Sequence, residues 1–464
     1  MTVARSEYAG RRVLVAGTGV AGAACVWALL RLGAEVTVAG RDLDMLDALG
    51  RDGATVFVGD EPRPDLFARM DDVVVSPGFA PHTPLVRAAF AAGKVVYSEP
   101  ELAWRLRGPG APPWLAVTGT NGKTTTTTML AAMLRAAGRR TVALGNIGEP
   151  LVDVALDPQH YDVLAVELSS FQLHWSQTMA PPVGALLNLA EDHLEWHGTF
   201  EAYAEAKTAV WRGAATGDGV AVGNLDDPRV AAALARVPGR QVGVSLGEPG
   251  PGGFGVVDGM LVDHAFGDGP IALAPAEGIR PAGPHNISNA LHAAALARAY
   301  GVDPAAVAAG LAGYEPEPHR NALVATVAGV AYVDDSKATN PHAAQASLLA
   351  YPRVVWVAGG QLKGVDIDDL VRSVADRLAG VVLLGVDRHE VADALRRHAP
   401  HIPVREVART DDGAMAEVVG AAAVMARAGD TVLLAPAAAS KDMFRSYAHR
   451  GDAFAEQVRA LTTA

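Results

Sequence analysis

Between Trp114 and Thr128 an apolar run, Trp114-Leu-Ala-Val-Thr, passes directly into Gly119-Thr-Asn-Gly-Lys-Thr124 and then four more threonines. A short apolar run that ends in glycines and opens a helix reads as a buried parallel strand whose loop wraps a polyphosphate. Glycines let backbone N–H groups point inward, Lys123 adds a point charge near the terminal phosphates, and Thr124 sets a hydroxyl where Mg²⁺ would sit. The first glycine of the usual phosphate loop would fall at Val117, so this loop is tighter than that pattern. A turn that only caps a helix accounts for the glycines, but not for Lys123 ahead of a threonine run. Gly119, Thr120, Asn121, Gly122, Lys123, Thr124 and Thr125 are the expected nucleoside triphosphate site.

The chain has 464 residues, which at roughly 150 per domain suggests about three domains. Pro/Gly-rich residues 108–113 and the segment Tyr314-Glu-Pro-Glu-Pro-His give boundaries at 1–107, 108–315 and 316–464. With Cys25 alone no internal disulfide is possible, and no apolar run approaches the ~20 residues that cross a bilayer. The chain therefore reads as soluble, cytosolic and not inserted in a membrane. A net charge of −12 argues against nucleic acid and for phosphate held by local loops. Strands alternating with helices in all three parts predict an α/β protein of three parallel-sheet domains. Glycine-rich turns from 247 to 269 predict a small antiparallel excursion in the second.

The first domain opens with Arg12-Val-Leu-Val-Ala and then Gly17-Thr-Gly-Val-Ala-Gly22, the first turn of a Rossmann-like sheet. Asp42, after the next strand, would permit a ribose contact, and Ser76-Pro-Gly78 offers further backbone donors. A nicotinamide enzyme is thus one alternative, although nothing else in the unit offers hydride chemistry. In the second domain Glu167 ends a strand beside the phosphate loop, where it could hold Mg²⁺ or merely cap the next helix. His193 follows another strand and could ligate a second ion. Helical spacing puts Phe200, Tyr203, Lys207 and Val210 on one face. Lys207 is then either a neutral amine able to add CO₂ and become a carbamate ligand, or a lysine whose head snorkels to water.

Six motifs together resemble the Mur ligases of peptidoglycan synthesis over nearly the whole chain: Thr118-Gly-Thr-Asn-Gly-Lys-Thr-Thr, Glu167-Leu-Ser-Ser-Phe-Gln-Leu, Asn188-Leu-Ala-Glu-Asp-His193, His285-Asn286 with Asn289, His319-Arg320, and Asp335-Ser-Lys-Ala-Thr-Asn340. The Glu167 motif, Ser76-Pro-Gly and the dinucleotide-like first domain resemble the family members that add D-glutamate.

The resemblance implies an N-terminal Rossmann-like domain for a UDP-sugar, a central ATPase-like domain and a C-terminal Rossmann-like domain for the amino acid. It implies ATP-dependent joining of D-glutamate to UDP-N-acetylmuramoyl-L-alanine through an acyl phosphate, by a cytoplasmic monomer. Lys123 and Thr124 would hold phosphates, while Glu167, His193 and carbamylated Lys207 arrange two Mg²⁺ ions. Asn286, Asn289, Arg320, Asp335 and Lys337 match ATP-binding positions, and Thr339, Lys363, Ser440 and Tyr447 positions facing D-glutamate. Val20, Ala21, Arg41, Gly78, Asn146 and His193 fall where the UDP-sugar is held, and Gly40 stands where relatives can carry an acid facing uracil. A nucleotide switch and a sister ligase with another amino acid are the remaining alternatives.

Overall fold

In the computed structural model, which describes residues 7–61, 64–157, 160–411 and 413–462, the apolar runs become the central strands of three sheets. The first sheet contains β1 (Arg12–Ala16), β2 (Glu35–Gly40), β3 (Thr55–Val58), β4 (Asp72–Val75) and β5 (Val95–Tyr97). They lie parallel in the order β3-β2-β1-β4-β5. Because β1 sits between β2 and β4, the Gly17 and Ser76 loops leave its carboxyl edge side by side. A Cβ on Gly17 would strike the Ser76 hydroxyl, and Gly17 has φ +104°, so only glycine serves there.

The second sheet is built from β6 (Trp114–Thr118), β7 (Ala143–Gly145), β8 (Leu164–Glu167), β9 (Val183–Leu186), β10 (Val220–Asn224) and β11 (Arg240–Val244). β12 (Gly253–Val257), β13 (Met260–Asp263) and β14 (Ile271–Pro275) complete it, in the order β14-β13-β12-β11-β10-β9-β6-β8-β7. β12 to β14 are the antiparallel excursion expected from the glycine-rich turns. β6, buried at all five positions, lies between β8 and β9. The order reverses there, and that crevice is where an open α/β sheet binds ligands.

The third sheet holds β15 (Ala322–Val327), β16 (Val330–Asp334), β17 (Val354–Ala358), β18 (Leu378–Leu383), β19 (Val404–Glu406) and β20 (Thr431–Leu434), ordered β15-β16-β20-β17-β18-β19. β15 runs antiparallel on one edge and the rest are parallel.

Contacts divide the chain into two units, Met1–Glu277 with Ser288–Gly313, and Gly278–Ile287 with Tyr314–Ala464. The first unit carries the first two sheets over a shared apolar core that includes Val13, Leu29, Leu102, Trp114 and Val152. Buried Glu101 pins them together, accepting hydrogen bonds from the backbone N–H groups of Gln177, Thr178 and Met179. Among the described residues no helix is long and apolar enough to cross a membrane.

Candidate active site

The loop after β6 turns at Gly122, which has φ +82° and lies so close to Asn289 that a Cβ would meet the Asn289 Oδ1. The helix Lys123–Ala136 starts there, with its first turn at the crevice. Lys123 folds over the loop and its Nζ donates to the carbonyls of Gly119 (3.0 Å) and Thr120 (2.9 Å). Thr120 is anchored from below, sharing a 2.7 Å hydrogen bond with the Tyr203 hydroxyl.

At the next residue of the helix, the Thr124 hydroxyl donates to Glu167 Oε2 at 2.7 Å. Glu167 ends β8 and is 2 % exposed. Its other oxygen accepts from Asn146 Nδ2 at 2.8 Å, and its carbonyl from Asn146 N–H. Glu167 is thus oriented by both neighbours and does not cap the following helix, whose cap is Ser169. The structure puts Asn146, expected to face a sugar, on this carboxylate. A hydroxyl and a carboxylate oxygen in contact form a hard-oxygen donor pair suited to Mg²⁺, with phosphate oxygens and water left to complete the ion's shell. Among the described residues no group of three or more His, Cys, Asp and Glu side chains converges.

Lys207 lies on the helix Phe200–Thr208 and is only 2 % exposed, which removes the snorkelling alternative. Its Nζ donates to the Gly119 carbonyl at 2.8 Å and sits 4.8 Å from the Tyr203 ring centre. Burial first, and the nearby Lys123 charge second, hold its amine well below the ordinary lysine range.

His193 adopts a left-handed backbone (φ 54°) and lays its half-exposed ring 4.7 Å from Phe171. Its carboxylate neighbours are Asp192 (3.6 Å) and Glu195 (3.7 Å), not Glu167. Phe171 also packs on Trp196, whose indole N–H donates to the Gly78 carbonyl, while Trp175 donates to Phe79. The Ser76-Pro-Gly turn of the first sheet is therefore docked beside the His193 segment of the second. Within this cluster burial pushes the His197 imidazole down to about 4.

Elsewhere on the first sheet Val20 is 76 % exposed at the start of its helix, Ala21 is half-buried beside it, and Arg41 pairs with Asp60 at 2.6 Å. Asp42 is taken up in capping, accepting from Met45 N–H, so the ribose contact expected of a nicotinamide enzyme has a competing local role. Gly40 has a steric cause: a Cβ there would lie 2.6 Å from the Thr18 methyl.

In the second unit the loops after β16, β17 and β20 gather at one sheet edge. Lys337 sets its ammonium 3.8 Å from the Tyr447 ring centre, and Thr339 N–H bonds back to the Lys337 carbonyl. Gln361 and Ala439 pair through two backbone hydrogen bonds, which brings the Lys363 and Ser440 loops together. Asp335 accepts from Asn321 N–H, and burial pushes its carboxyl up to about 6. Arg320 pairs with Glu317, and Asn286 donates to the Ala282 carbonyl.

Two residues have contacts that the sequence does not signal. Arg450, in the helix Tyr447–Leu461, is buried and donates to the carbonyls of Ser336, Gly359 and Ala438, the three loops just named. On a helix with polar neighbours an arginine reads as solvated surface. Asn188 lies in one of the six motifs, yet nothing in the sequence shows that its side chain bonds to the Asn121 backbone in the loop after β6.

Residues 11–98 match the MurD-like N-terminal domain of Mur ligases, residues 117–297 the Mur ligase middle domain, and residues 319–438 the Mur ligase glutamate ligase domain. The UDP-N-acetylmuramoylalanine–D-glutamate ligase of Thermobifida fusca is 56 % identical over 98 % of this chain and 99 % of its own length. That of Streptomyces coelicolor is 51 % identical at the same coverages. Among solved structures, MurF from Acinetobacter baumannii superposes with a TM-score of 0.61 at 19 % identity, covering 97 % of this chain and 91 % of that one. The Thermotoga maritima MurF ligase in complex with ADP gives 0.58 at 18 % identity, covering 98 % and 99 %; both likenesses concern the fold alone. By these matches along almost its full length, the chain belongs to the Mur ligase family, among the relatives named UDP-N-acetylmuramoylalanine–D-glutamate ligase.

Proposed function

We propose that this protein is an ATP-dependent carboxylate–amine ligase that adds D-glutamate to UDP-N-acetylmuramoyl-L-alanine in cytoplasmic peptidoglycan precursor synthesis, acting as a monomer. The observation that carries the reading is the convergence of Lys123, the Thr124–Glu167 pair and buried Lys207 on one loop at the sheet crevice. ATP lies along residues 119–125, and Lys123 exchanges two loop carbonyls for phosphate oxygens. The alanyl carboxylate attacks the γ-phosphorus and ADP leaves. The D-glutamate amine then adds to the acyl carbon, and phosphate departs from the tetrahedral intermediate.

Mg²⁺, held by Thr124 and Glu167, would neutralise charge between two anions that otherwise repel. Lys207 fits a carbamate: a buried amine of lowered basicity adds CO₂ with loss of one proton and gains oxygen donors, which the bare ammonium lacks. The UDP-sugar lies across the Gly17 and Ser76 loops toward His193, with Val20, Ala21, Arg41, Gly78 and Asn146 along its path. Thr339, Lys363, Ser440 and Tyr447 face D-glutamate, while Asn286, Asn289, Arg320, Asp335 and Lys337 complete the ATP contacts.

The test is phosphate release with ATP, UDP-N-acetylmuramoyl-L-alanine and a panel of amino acids. Release should require both the UDP-substrate and D-glutamate, with L-glutamate a poor substitute, because fixed groups that meet two carboxylates and an amine reject the mirror image. Equal rates with L-glutamate or L-alanine would count against this acceptor and for a sister ligase.

A further inference from the structure

The nucleotide loop does not hold its own shape. β6 and β9 pair in register as far as Thr118 and Leu186, and Leu187 N–H still reaches the Thr118 carbonyl at 3.0 Å. At Gly119 the chain leaves the sheet. Two residues past β9, the Asn188 carbonyl accepts from Thr120 N–H at 3.0 Å. The Asn188 side chain then makes a two-point contact: Oδ1 accepts from Asn121 N–H at 2.8 Å, and Nδ2 donates to the Asn121 carbonyl at 3.1 Å. A backbone N–H only donates and a carbonyl only accepts, so the carboxamide orientation is fixed. It continues the ladder where no strand remains.

We propose that Asn188 is a positioning residue for nucleotide binding, its carboxamide setting the register of the phosphate-binding loop at Asn121. The inference rests on the reading of residues 119–125 as the ATP site. Asn188 is itself held on a rigid support. Asn224 Nδ2 donates to the Leu187 carbonyl (2.9 Å), Leu189 N–H to Asp227 Oδ2 (2.8 Å), and Ala190 N–H to Thr120 Oγ1 (3.0 Å). With the Asn121 peptide gripped at both polar groups, Gly122 is held in its left-handed turn and the helix from Lys123 starts in one direction. The same segment leads to His193 five residues on, so one side chain links the loop to the neighbouring strand's catalytic segment.

Only a carboxamide of this length supplies one acceptor and one donor at that spacing. A carboxylate keeps the acceptor for Asn121 N–H but turns a lone pair on the Asn121 carbonyl, and alanine removes both of these bonds. The full-length Asn188→Asp and Asn188→Ala proteins are compared with wild type by titration with a non-hydrolysable ATP analogue plus Mg²⁺, titration with UDP-N-acetylmuramoyl-L-alanine, thermal melting, and kcat and KM over a range of pH. The expected result is analogue binding weakened about tenfold or more in both variants, with UDP-substrate binding within about twofold of wild type.

The deficit of Asn188→Asp should narrow as pH falls, because a protonated carboxyl regains an O–H donor for the Asn121 carbonyl. General damage to the fold would instead weaken both ligands and give no recovery at low pH, which overturns the proposal. Wild-type analogue affinity in both variants also overturns it and leaves the nucleotide reading intact. Failure of the wild-type protein to bind the analogue overturns that reading and this inference together.

Discussion

Lys207 Nζ donates a 2.8 Å hydrogen bond to the carbonyl oxygen of Gly119, so a lysine on one helix ends on the backbone of the loop that follows β6. Its amine is cut off from water and lies close enough to Lys123 for the two charges to oppose each other. Lys207→Ala should therefore lose about a hundredfold or more in kcat, with partial recovery on adding formate or acetate, which can stand in for a missing carboxylate-like ligand. Unchanged turnover, or a Mg²⁺-loaded crystal showing an unmodified ammonium, would refute the carbamate.

Lys123 opens the helix that follows β6 of the second sheet, whereas the Gly17 and Ser76 loops belong to the first. Lys123→Ala should cost roughly 10²–10³ in phosphoryl transfer through loss of a preorganised cation, and leave UDP-substrate affinity nearly unaltered. Single-turnover ADP formation and a UDP-substrate titration measure the two separately. A parallel loss in both would show that the two sites are not independent.

How far the sequence could be read depended on whether a residue's partners are local. β6, β8, β17 and β20 are buried along their length, and β16 at all but half-buried Ala331, and they are legible as apolar runs. Of the edge strands, β19 is three exposed residues with no apolar run, whereas β3 (Thr55-Val-Phe-Val) and β15 (Ala322-Leu-Val-Ala-Thr-Val) carry apolar residues that lie half-buried or exposed at sheet edges, which the sequence alone does not show. The glycine loop and the parallel-sheet rule place Lys123, Thr124 and Glu167 at the carboxyl ends of neighbouring strands, and the structure brings Thr124 and Glu167 into contact there. Spacing put Lys207 on a buried face but could not tell a head that reaches water from one that ends on a carbonyl. Asp42 was ambiguous for a local reason: one side chain can cap a helix or meet a ribose. Arg450 and Asn188 act on partners far along the chain, and no window of sequence contains both ends of such a contact.

Glu99 gives the first unit a pH dependence unrelated to the chemistry. Its carboxyl is buried where the first two sheets meet, accepts from Val152 N–H at 2.6 Å, and is pushed by burial from 4.5 up to about 8. The folded chain thus holds a proton there that the unfolded chain releases at lower pH. Between about 4.5 and 8 the folded state binds more protons, so stability falls as pH rises, by at most about 1.4 kcal/mol per unit from this group. Glu99→Gln keeps an acceptor for Val152 and cannot ionise. Urea unfolding across that window should show a shallower decline in the variant than in wild type; identical slopes would place the titration elsewhere.

Arg450 supports the third sheet's loops by a different principle, because none of its hydrogen-bond partners is a carboxylate. Its guanidinium donates to the Ser336 hydroxyl and carbonyl (both 3.0 Å), the Ala438 carbonyl (3.2 Å) and the Gly359 carbonyl (3.4 Å), and burial pushes it down to about 10. It remains charged at neutral pH, and a planar fork with five donors can bridge three loops where a lysine's compact head cannot. Those loops carry Lys337 and Thr339, Lys363, and Ser440. Arg450→Lys keeps the charge but strands at least one buried carbonyl, at a cost of about 1–3 kcal/mol, and lets the loops drift apart. The expected outcome is a lowered melting temperature together with a rise of about tenfold in KM for D-glutamate, while KM for the UDP-substrate, which we propose binds in the other unit, stays within about twofold. Steady-state kinetics with each substrate varied in turn make the comparison. Were the two KM values to rise equally, Arg450 would be a general stability residue and not a tie that spaces three loops for the amino acid.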